Sequence, residues 1–334
     1  MPKGTIRMAD VARAAKVSPM TVSNSFRNPH LVNAETRRKV LETALELGYV
    51  PNAMAGNLAS GQSKVIALLT PSIRYSSFAD MIESLGNRLE AEGYHMIMTL
   101  MESADREIET LRAMIGRRVD GIIVAGELET EAARNLIRQQ ETPLVETWHL
   151  HDDLIDMAVG FSEHDASRDA VRFVIESGRR KIGMIGLDPA GHRRLVERIN
   201  GYRTAMSEIG DAGDRLVLMP PDSNGYDAGA KGMSELMSRW PDVEAVFCMT
   251  DILAVGAIFE CQRCSRRVPD EIAVMGYGNY DIAANVPPGL STVQTPGSTI
   301  GEAAAALLLE RLRGTTTEAH QKRVDYMIIK RGSV

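Results

Sequence analysis

Apolar positions recur with one period near the start of the chain and with another beyond it. Over residues 8–15, Ala9, Val11, Ala12, Ala14 and Ala15 fall at helical spacing. Lys16-Val17-Ser18 interrupts the run. Ser18 is a good N-cap, and Pro19 then takes the first helical position, where a missing N–H costs nothing. The second predicted helix, 19–27, turns Val22 and Phe26 inward and shows Met20, Thr21, Ser23 and Asn24 on its polar face. Two helices this short bury little alone, so a third is required. Asn33 caps it, Val40, Leu41, Ala44, Leu45 and Leu47 form its stripe, and Gly48 ends it. Three such helices make a helix-turn-helix, whose second helix enters a DNA major groove.

Beyond residue 64 the rhythm changes to short apolar runs alternating with amphipathic stretches. Strands are predicted at 65–69, 95–100, 121–125 and 143–146, with helices at 78–92, 105–116 and 131–140 between them. The alternation resumes after residue 160. Helices at 165–177, 193–209, 226–239 and 251–262 each lead to a strand, at 181–185, 215–219, 245–249 and 272–277. A strand near 290–293, a helix at 301–313 and a strand at 324–329 complete the tail. Strict alternation of this kind means βαβ units, hence two doubly wound α/β halves with parallel sheets covered on both faces.

Charge sharpens the division. The formal net charge of −6 alone argues against a nucleic-acid partner. Residues 1–62, however, hold eight lysines and arginines against four acids, a surplus of +4, which leaves −10 on the remainder. A basic head on an acidic body is expected where only the head meets phosphate. No run of 18 apolar residues and no apolar leader is present, and three cysteines do not suggest a disulfide framework. Those features favour a cytoplasmic protein with no membrane partner.

The run M-A-D-V-A-R-A-A-K-V-S-P-M-T-V-S, with V-N-A-E-T-R-R-K-V-L-E-T-A-L-E-L-G-Y-V-P-N-A-M-A-G-N-L-A-S-G after it, resembles the N-terminus of the lactose-repressor (LacI) family. The likeness continues more thinly to about residue 331. It implies a helix-turn-helix domain over 1–50, a hinge over 51–62, and two lobes of periplasmic-binding-protein type joined by three crossovers. The first lobe would hold 63–161 and 291–322, the second 162–290 and 323–334. The partners implied are double-stranded operator DNA, a small effector and a second copy of the chain, since a two-fold operator needs a homodimer. By the same resemblance Pro19, Met20 and Asn24 face base edges. The family usually carries arginine at position 24. Asparagine there pairs with adenine, or it contacts phosphate or water. Thr21, Ser23, Asn28 and Asn33 are candidate phosphate contacts. Residues 53–59 match the hinge helix, with Leu58 at the position that wedges into the minor groove.

For the effector, Arg198 stands in a match to the family's R-x-x-G-[YW] motif, and its planar fork suits hydroxyls or a carboxylate. Glu146 matches the family's cleft acid. Thr250-Asp251 matches an N-D pair, with threonine replacing the asparagine that contacts sugar, and Asp251 also suits a helix cap. Position 278, an aspartate in the family pattern, is glycine, whereas Arg74 adds a positive charge. Phe78 and Asn279 complete the candidate set. Loss of an acid and gain of a base favour an anionic ligand, although Glu146 opposes this. Runs such as 156–161, 246–251 and 253–263 also resemble the gluconate-operon repressors, so a sugar acid is expected, with neutral sugars as the alternative.

Other motifs carry less. Cys261-Gln-Arg-Cys264 lacks a second ligand pair for zinc and falls in a predicted helix, and His149 and His151 with Asp152-Asp153 read as loop residues. No dinucleotide fingerprint or nucleophile–base pair stands out, so neither cofactor nor enzymatic activity is expected. The expected function is a repressor released by its ligand, with corepression the alternative sign. The rival class, a transport protein or sugar enzyme, would need an export leader or a catalytic constellation.

Overall fold

The computed structural model describes residues 6–51, 62–73, 76–101, 104–189, 192–211, 213–221, 223, 225–315 and 320–334. The chain separates into two compact units, Met1–Ser63 and Lys64–Val334.

In the first unit, α1 spans Met8–Ala15, α2 Pro19–Arg27 and α3 Ala34–Leu47. Lys16 takes a left-handed conformation (φ 58°) that closes α1 and turns the chain into α2. The Ser18 hydroxyl accepts from Thr21 N–H at 3.0 Å, so the expected cap is formed. Asn33 caps α3 by accepting from Glu35 N–H at 2.9 Å. Val11, Ala12, Ala15, Val22, Val40 and Ala44 are the buried centre, with Val17, Phe26 and Tyr49 packed on it. The core is narrower than the sequence stripe suggests. Leu45 is 84% exposed, because a helix packed against only two short neighbours buries little more than its a and d positions. The hinge residues 52–61, with Leu58, lie outside the described residues.

The second unit holds two six-stranded sheets. In the first, β1 (Val65–Thr70), β2 (His95–Leu100), β3 (Gly121–Val124), β4 (Leu144–His149), β5 (Met157–Phe161) and β11 (His320–Arg323) lie in the order β11-β5-β4-β3-β1-β2, all parallel. In the second, β6 (Ile182–Leu187), β7 (Leu216–Met219), β8 (Ala245–Cys248), β9 (Ala273–Gly278), β10 (Ser291–Gln294) and β12 (Met327–Ile329) lie in the order β12-β10-β9-β8-β6-β7. Among the described strands of this sheet, only β12 runs antiparallel to its neighbour. The helices of this unit are α4 (Ser76–Ala91), α5 (Glu107–Gly116), α6 (Glu131–Gln140), α7 (Glu163–Glu176), α8 (Arg193–Glu208), α9 (Tyr226–Arg239), α10 (Asp251–Arg263), α11 (Asp281–Asn285) and α12 (Gly297–Leu312).

Three differences from the sequence reading have physical causes. β10 belongs to the second sheet, not to the first lobe: Ser291 is in register with Met275 of β9 and Thr292 with Ile329 of β12, so the chain returns to the first sheet only after Gln294. β5 is fully buried but follows β4 through a loop with no helix, so a count based on helix–strand alternation passes over it. β11, His-Gln-Lys-Arg, is exposed at every position, so its edge pairing leaves no apolar pattern.

The two sheets share one winding order, and α7 and α8 pack closely because Gly201 has no side chain: a Cβ there would collide with the His164 carbonyl and crowd Ser167. Gly201→Ala is therefore expected to cost about 1–3 kcal/mol despite its better helix propensity. Thermal unfolding should show the midpoint lowered by several degrees.

Candidate functional site

Winding reverses in the first sheet between β1 and β3, and in the second between β6 and β8. Open α/β sheets bind ligands in the crevice at such switch points, beyond the strand C-termini. Two cavities lie there. The outer one, about 300 Å³, is bordered by Pro71 and Ser72 after β1, by Val124, Ala125 and Gly126 at the end of β3, and by His192, Arg193 and Arg194 from the start of α8. The inner one, about 100 Å³, is bordered by Leu187 after β6, Thr250 after β8, Gly278 at the end of β9, and Phe78, Trp148, Arg194 and Arg198. Both cavities share Phe78, Arg194 and Leu195. The outer volume sits at the lower end of small-molecule pockets, which run from roughly 300 to 1,000 Å³.

Side chains from the second sheet meet the first across this cleft. His192 Nδ1 stands 2.6 Å from Glu129, and Arg193 Nε stands 3.5 Å from Glu127. The Arg194 guanidinium lies over the rings of Phe78 and Trp148, 5.8 Å from each centroid. Those two rings meet edge to face at 5.0 Å.

Beneath the inner cavity Glu163, the first residue of α7, is fully buried. Its carboxylate accepts from Arg198 Nε at 2.8 Å and Nη2 at 3.2 Å, and from the Tyr277 hydroxyl at 2.5 Å. Arg194 Nε stands 3.4 Å away. Burial alone would push the Glu163 carboxyl up, but Arg198 and Arg194 outweigh it and hold it below its ordinary value. Burial raises the Tyr277 phenol well above its ordinary range, with the Glu163 charge adding to it.

The sequence candidates divide. Phe78, Arg198 and Thr250 border the inner cavity, and the Thr250 hydroxyl also caps α10 by accepting from Leu253 N–H at 3.3 Å. Glu146, Asp251 and Asn279 border neither cavity. Glu146 is fully buried behind the cleft, where it accepts from Leu128 N–H at 2.9 Å and stands 3.3 Å from His151 Nε2 and 3.8 Å from Arg134. Asp251 accepts from Tyr280 N–H and the Thr292 hydroxyl, both at 2.6 Å, fixing the loop after β9. Thr250, rather than Asp251, is the cap. Asn279 is turned to Arg331, whose Nη2 donates to its side-chain oxygen at 2.8 Å. Arg74 lies outside the described residues. His149 and His151, read as loop residues, are buried and stacked at 6.0 Å, His149 closing β4. Cys264 is not within a helix but exposed just past α10.

Gly278 has a steric reason of its own. It borders the inner cavity with φ 131°, and a Cβ would collide with the Tyr280 ring, so this loop geometry resists an aspartate. Sequence reasoning missed Arg194 and Trp148. Arg194 is one turn before Arg198, and that i, i+4 spacing was the available sign.

In the head, Pro19 and Met20 stand out from the start of α2, Met20 at 69% exposure. Thr21, Ser23 and Asn24 are half-buried, while Asn28 and Asn33 are exposed. The Thr21 hydroxyl already pairs with Ser18 at 2.9 Å, and Asn28 donates to Asn24 at a long 3.4 Å.

A helix-turn-helix head with an exposed second-helix start, carried with a two-sheet module that has its crevice at the strand ends, defines a ligand-responsive DNA-binding regulator. Comparison with known proteins agrees. Residues 7–52 match the family model for bacterial regulatory proteins of the lacI family, and residues 171–334 match that for the periplasmic binding protein-like domain. The chain is 32% identical to the HTH-type transcriptional regulator GntR of Escherichia coli over 98% of both chains. A LacI-family transcriptional regulator from Silicibacter pomeroyi shares its structure with a TM-score of 0.89, 26% identity and coverage of 98% and 99%. The lac repressor dimer bound to operator and the anti-inducer ONPF shares the fold at a TM-score of 0.86 and 21% identity, over 98% of each chain. The chain belongs to the LacI family. It is a DNA-binding transcriptional repressor and not an enzyme. Among the described residues no helix is long and apolar enough to cross a membrane.

Burial lowers the pKa of His149 to about 4, below its unfolded value near 6.5. The unfolded chain then takes up a proton first on acidification, so this residue's share of stability is lost as pH falls from about 6.5 toward 4. Asp251 works in the opposite sense: burial raises its carboxyl to about 6, so its protonation favours the fold over the same window. His149→Phe isolates the histidine. Between about pH 7 and about pH 5 the variant should lose roughly 2 kcal/mol less stability than the parent in denaturant titrations.

Proposed function

We propose that this repressor grips a two-fold operator as a homodimer and releases it when an anionic sugar acid of the gluconate class enters the cleft. The observation that carries the effector class is the charge of the inner cavity. Among the described residues two arginines border it, no carboxylate does, and one buried glutamate behind them faces both. Where the family pattern has an acid, Gly278 stands. The likeness to gluconate-operon repressors supports the same class. A neutral sugar is the second reading, favoured by Glu107, Glu127 and Glu129 around the outer cavity. Each of these acids is already engaged: Glu107 accepts from Glu129 N–H and Thr130 N–H, and the other two face Arg193 and His192.

For dimerisation, β2 is an edge strand with Met98 and Leu100 exposed at 46% and 42%, an unpaired apolar margin suited to a second copy. The lac repressor dimer on its operator is a solved example of that assembly in this fold. Such a protein works in the cytoplasm beside its DNA.

The cleft contacts give ligand entry a route to the DNA. Glu129–His192 and Glu127–Arg193 join the sheets across the cleft, and an anion competes with Glu127 for the Arg193 guanidinium. A ligand that favours one lobe arrangement shifts the population, and its coupling to operator is reciprocal. The hinge segment 51–62 would carry that shift to the head. Induction is the sign proposed.

Fluorescence anisotropy with an operator fragment tests this reading. Gluconate or 6-phosphogluconate should weaken operator binding about tenfold or more, within the usual range of allosteric coupling. Release by neutral sugars alone would defeat the anionic class, and tighter binding would reverse the sign. At the head, Asn24→Arg should move the preferred base at its half-site position from adenine to guanine, with discrimination of about 1–3 kcal/mol in a binding-site selection.

A further inference from the structure

Arg194 and Arg198 stand one helical turn apart on α8 and face the same carboxylate, but their donors are used differently. Arg198 gives Nε and Nη2 to Glu163 and Nη1 to the Met249 carbonyl at 2.8 Å. Its guanidinium face is covered by the Tyr277 ring at 3.9 Å, and only 7% of the side chain is exposed. Arg194 has one ion pair, Nε to Glu163 Oε1 at 3.4 Å, and no hydrogen bond from its guanidinium is found among the described residues. It is 22% exposed and borders both cavities. One carboxylate balances one guanidinium, so the pair leaves a positive charge beside the inner cavity.

We propose that Arg194, not Arg198, takes the anionic group of the effector, and that Arg198 is a positioning residue committed to Glu163. This rests on the anionic reading of the effector. A carboxylate or phosphate at the join of the two cavities would meet a planar fork of free donors and supply the missing charge. Trp148 walls the same place. It borders the inner cavity, its Nε1 is buried with no acceptor among the described residues, and its backbone holds a left-handed φ of 77°, unusual for so large a side chain. Because Arg194 also lies over Phe78 and Trp148 of the facing lobe, the anion binds where the two lobes touch.

Isothermal titration of the full-length protein with gluconate, 6-phosphogluconate and the neutral polyol glucitol tests the assignment, with unfolding temperatures recorded alongside. Arg194→Met should weaken the anions about thirtyfold and leave the unfolding temperature nearly unchanged. Arg194→Lys should fall between, since it keeps the charge without the fork. Arg198→Met should lower the unfolding temperature by several degrees, because it strands Glu163. If Arg194→Met binds the anions within about threefold of the parent, the assignment to Arg194 is overturned while the anionic reading stands. If the parent binds glucitol and neither anion, the anionic reading falls and this assignment with it. Loss of anion binding in Arg198→Met at an unchanged unfolding temperature would return the role to Arg198.

Discussion

One buried carboxylate, Glu163, ties together the part of the molecule on which sensing depends. It begins α7, receives Arg198 from α8 and Tyr277 from β9, and through Arg198 reaches the carbonyl of Met249 after β8. Four segments of the second sheet's ligand-facing edge are thus fixed by one charged group. Such a buried pair adds little net stability over an apolar replacement, but breaking it from one side leaves a stranded charge. Its value here is geometric: α8 is held in one position, and α8 carries every cation that borders the cleft among the described residues.

The cleft follows from topology. Both sheets wind in the same order, so each opens a crevice where the order reverses, and the crevices lie together beneath shared lining residues. Contacts across the gap are charged or aromatic rather than broadly apolar: a histidine and an arginine on two glutamates, and a guanidinium on two rings. Contacts of that kind are exchangeable, since each partner finds a substitute in solvent or in a ligand. A packed apolar seam has no such alternative. On the proposed reading, ligand control of lobe arrangement would need little more than competition for these few contacts.

Much of this was legible in the chain, and the failures share one cause. Caps at Ser18 and Asn33, the turn at Lys16, and the alternation of buried strands and amphipathic helices are local features, and each appears in the fold. What was not legible depends on neighbours far away in sequence. β11 is a strand only because β5 offers it an edge. Glu146 sits at the end of a strand, as a ligand-binding acid would, but Leu128, Arg134 and His151 come from other segments to enclose it. Asn279 and Asp251 were claimed in the same way by Arg331 and by Tyr280 with Thr292. Position along a strand says which residues can reach a cleft; it does not say which partner reaches them first.

Selectivity then turns on what a wrong ligand leaves behind. A neutral polyol in the inner cavity can match hydroxyls to donors, but it must sit beside the charge that Glu163 does not balance. Burial already pulls Arg194 below its ordinary pKa, with the neighbouring Arg198 adding to it against the opposing pull of Glu163, so the site carries a standing electrostatic penalty. On the proposed anionic reading, an anion removes that penalty and a neutral ligand does not, and the difference would be the discrimination. The same reasoning explains Gly278. An aspartate there would neutralise the surplus from within the protein, abolish the preference for an anion, and collide with Tyr280. On the anionic reading, glycine at 278 and arginine at 194 act together, both favouring a ligand of negative charge.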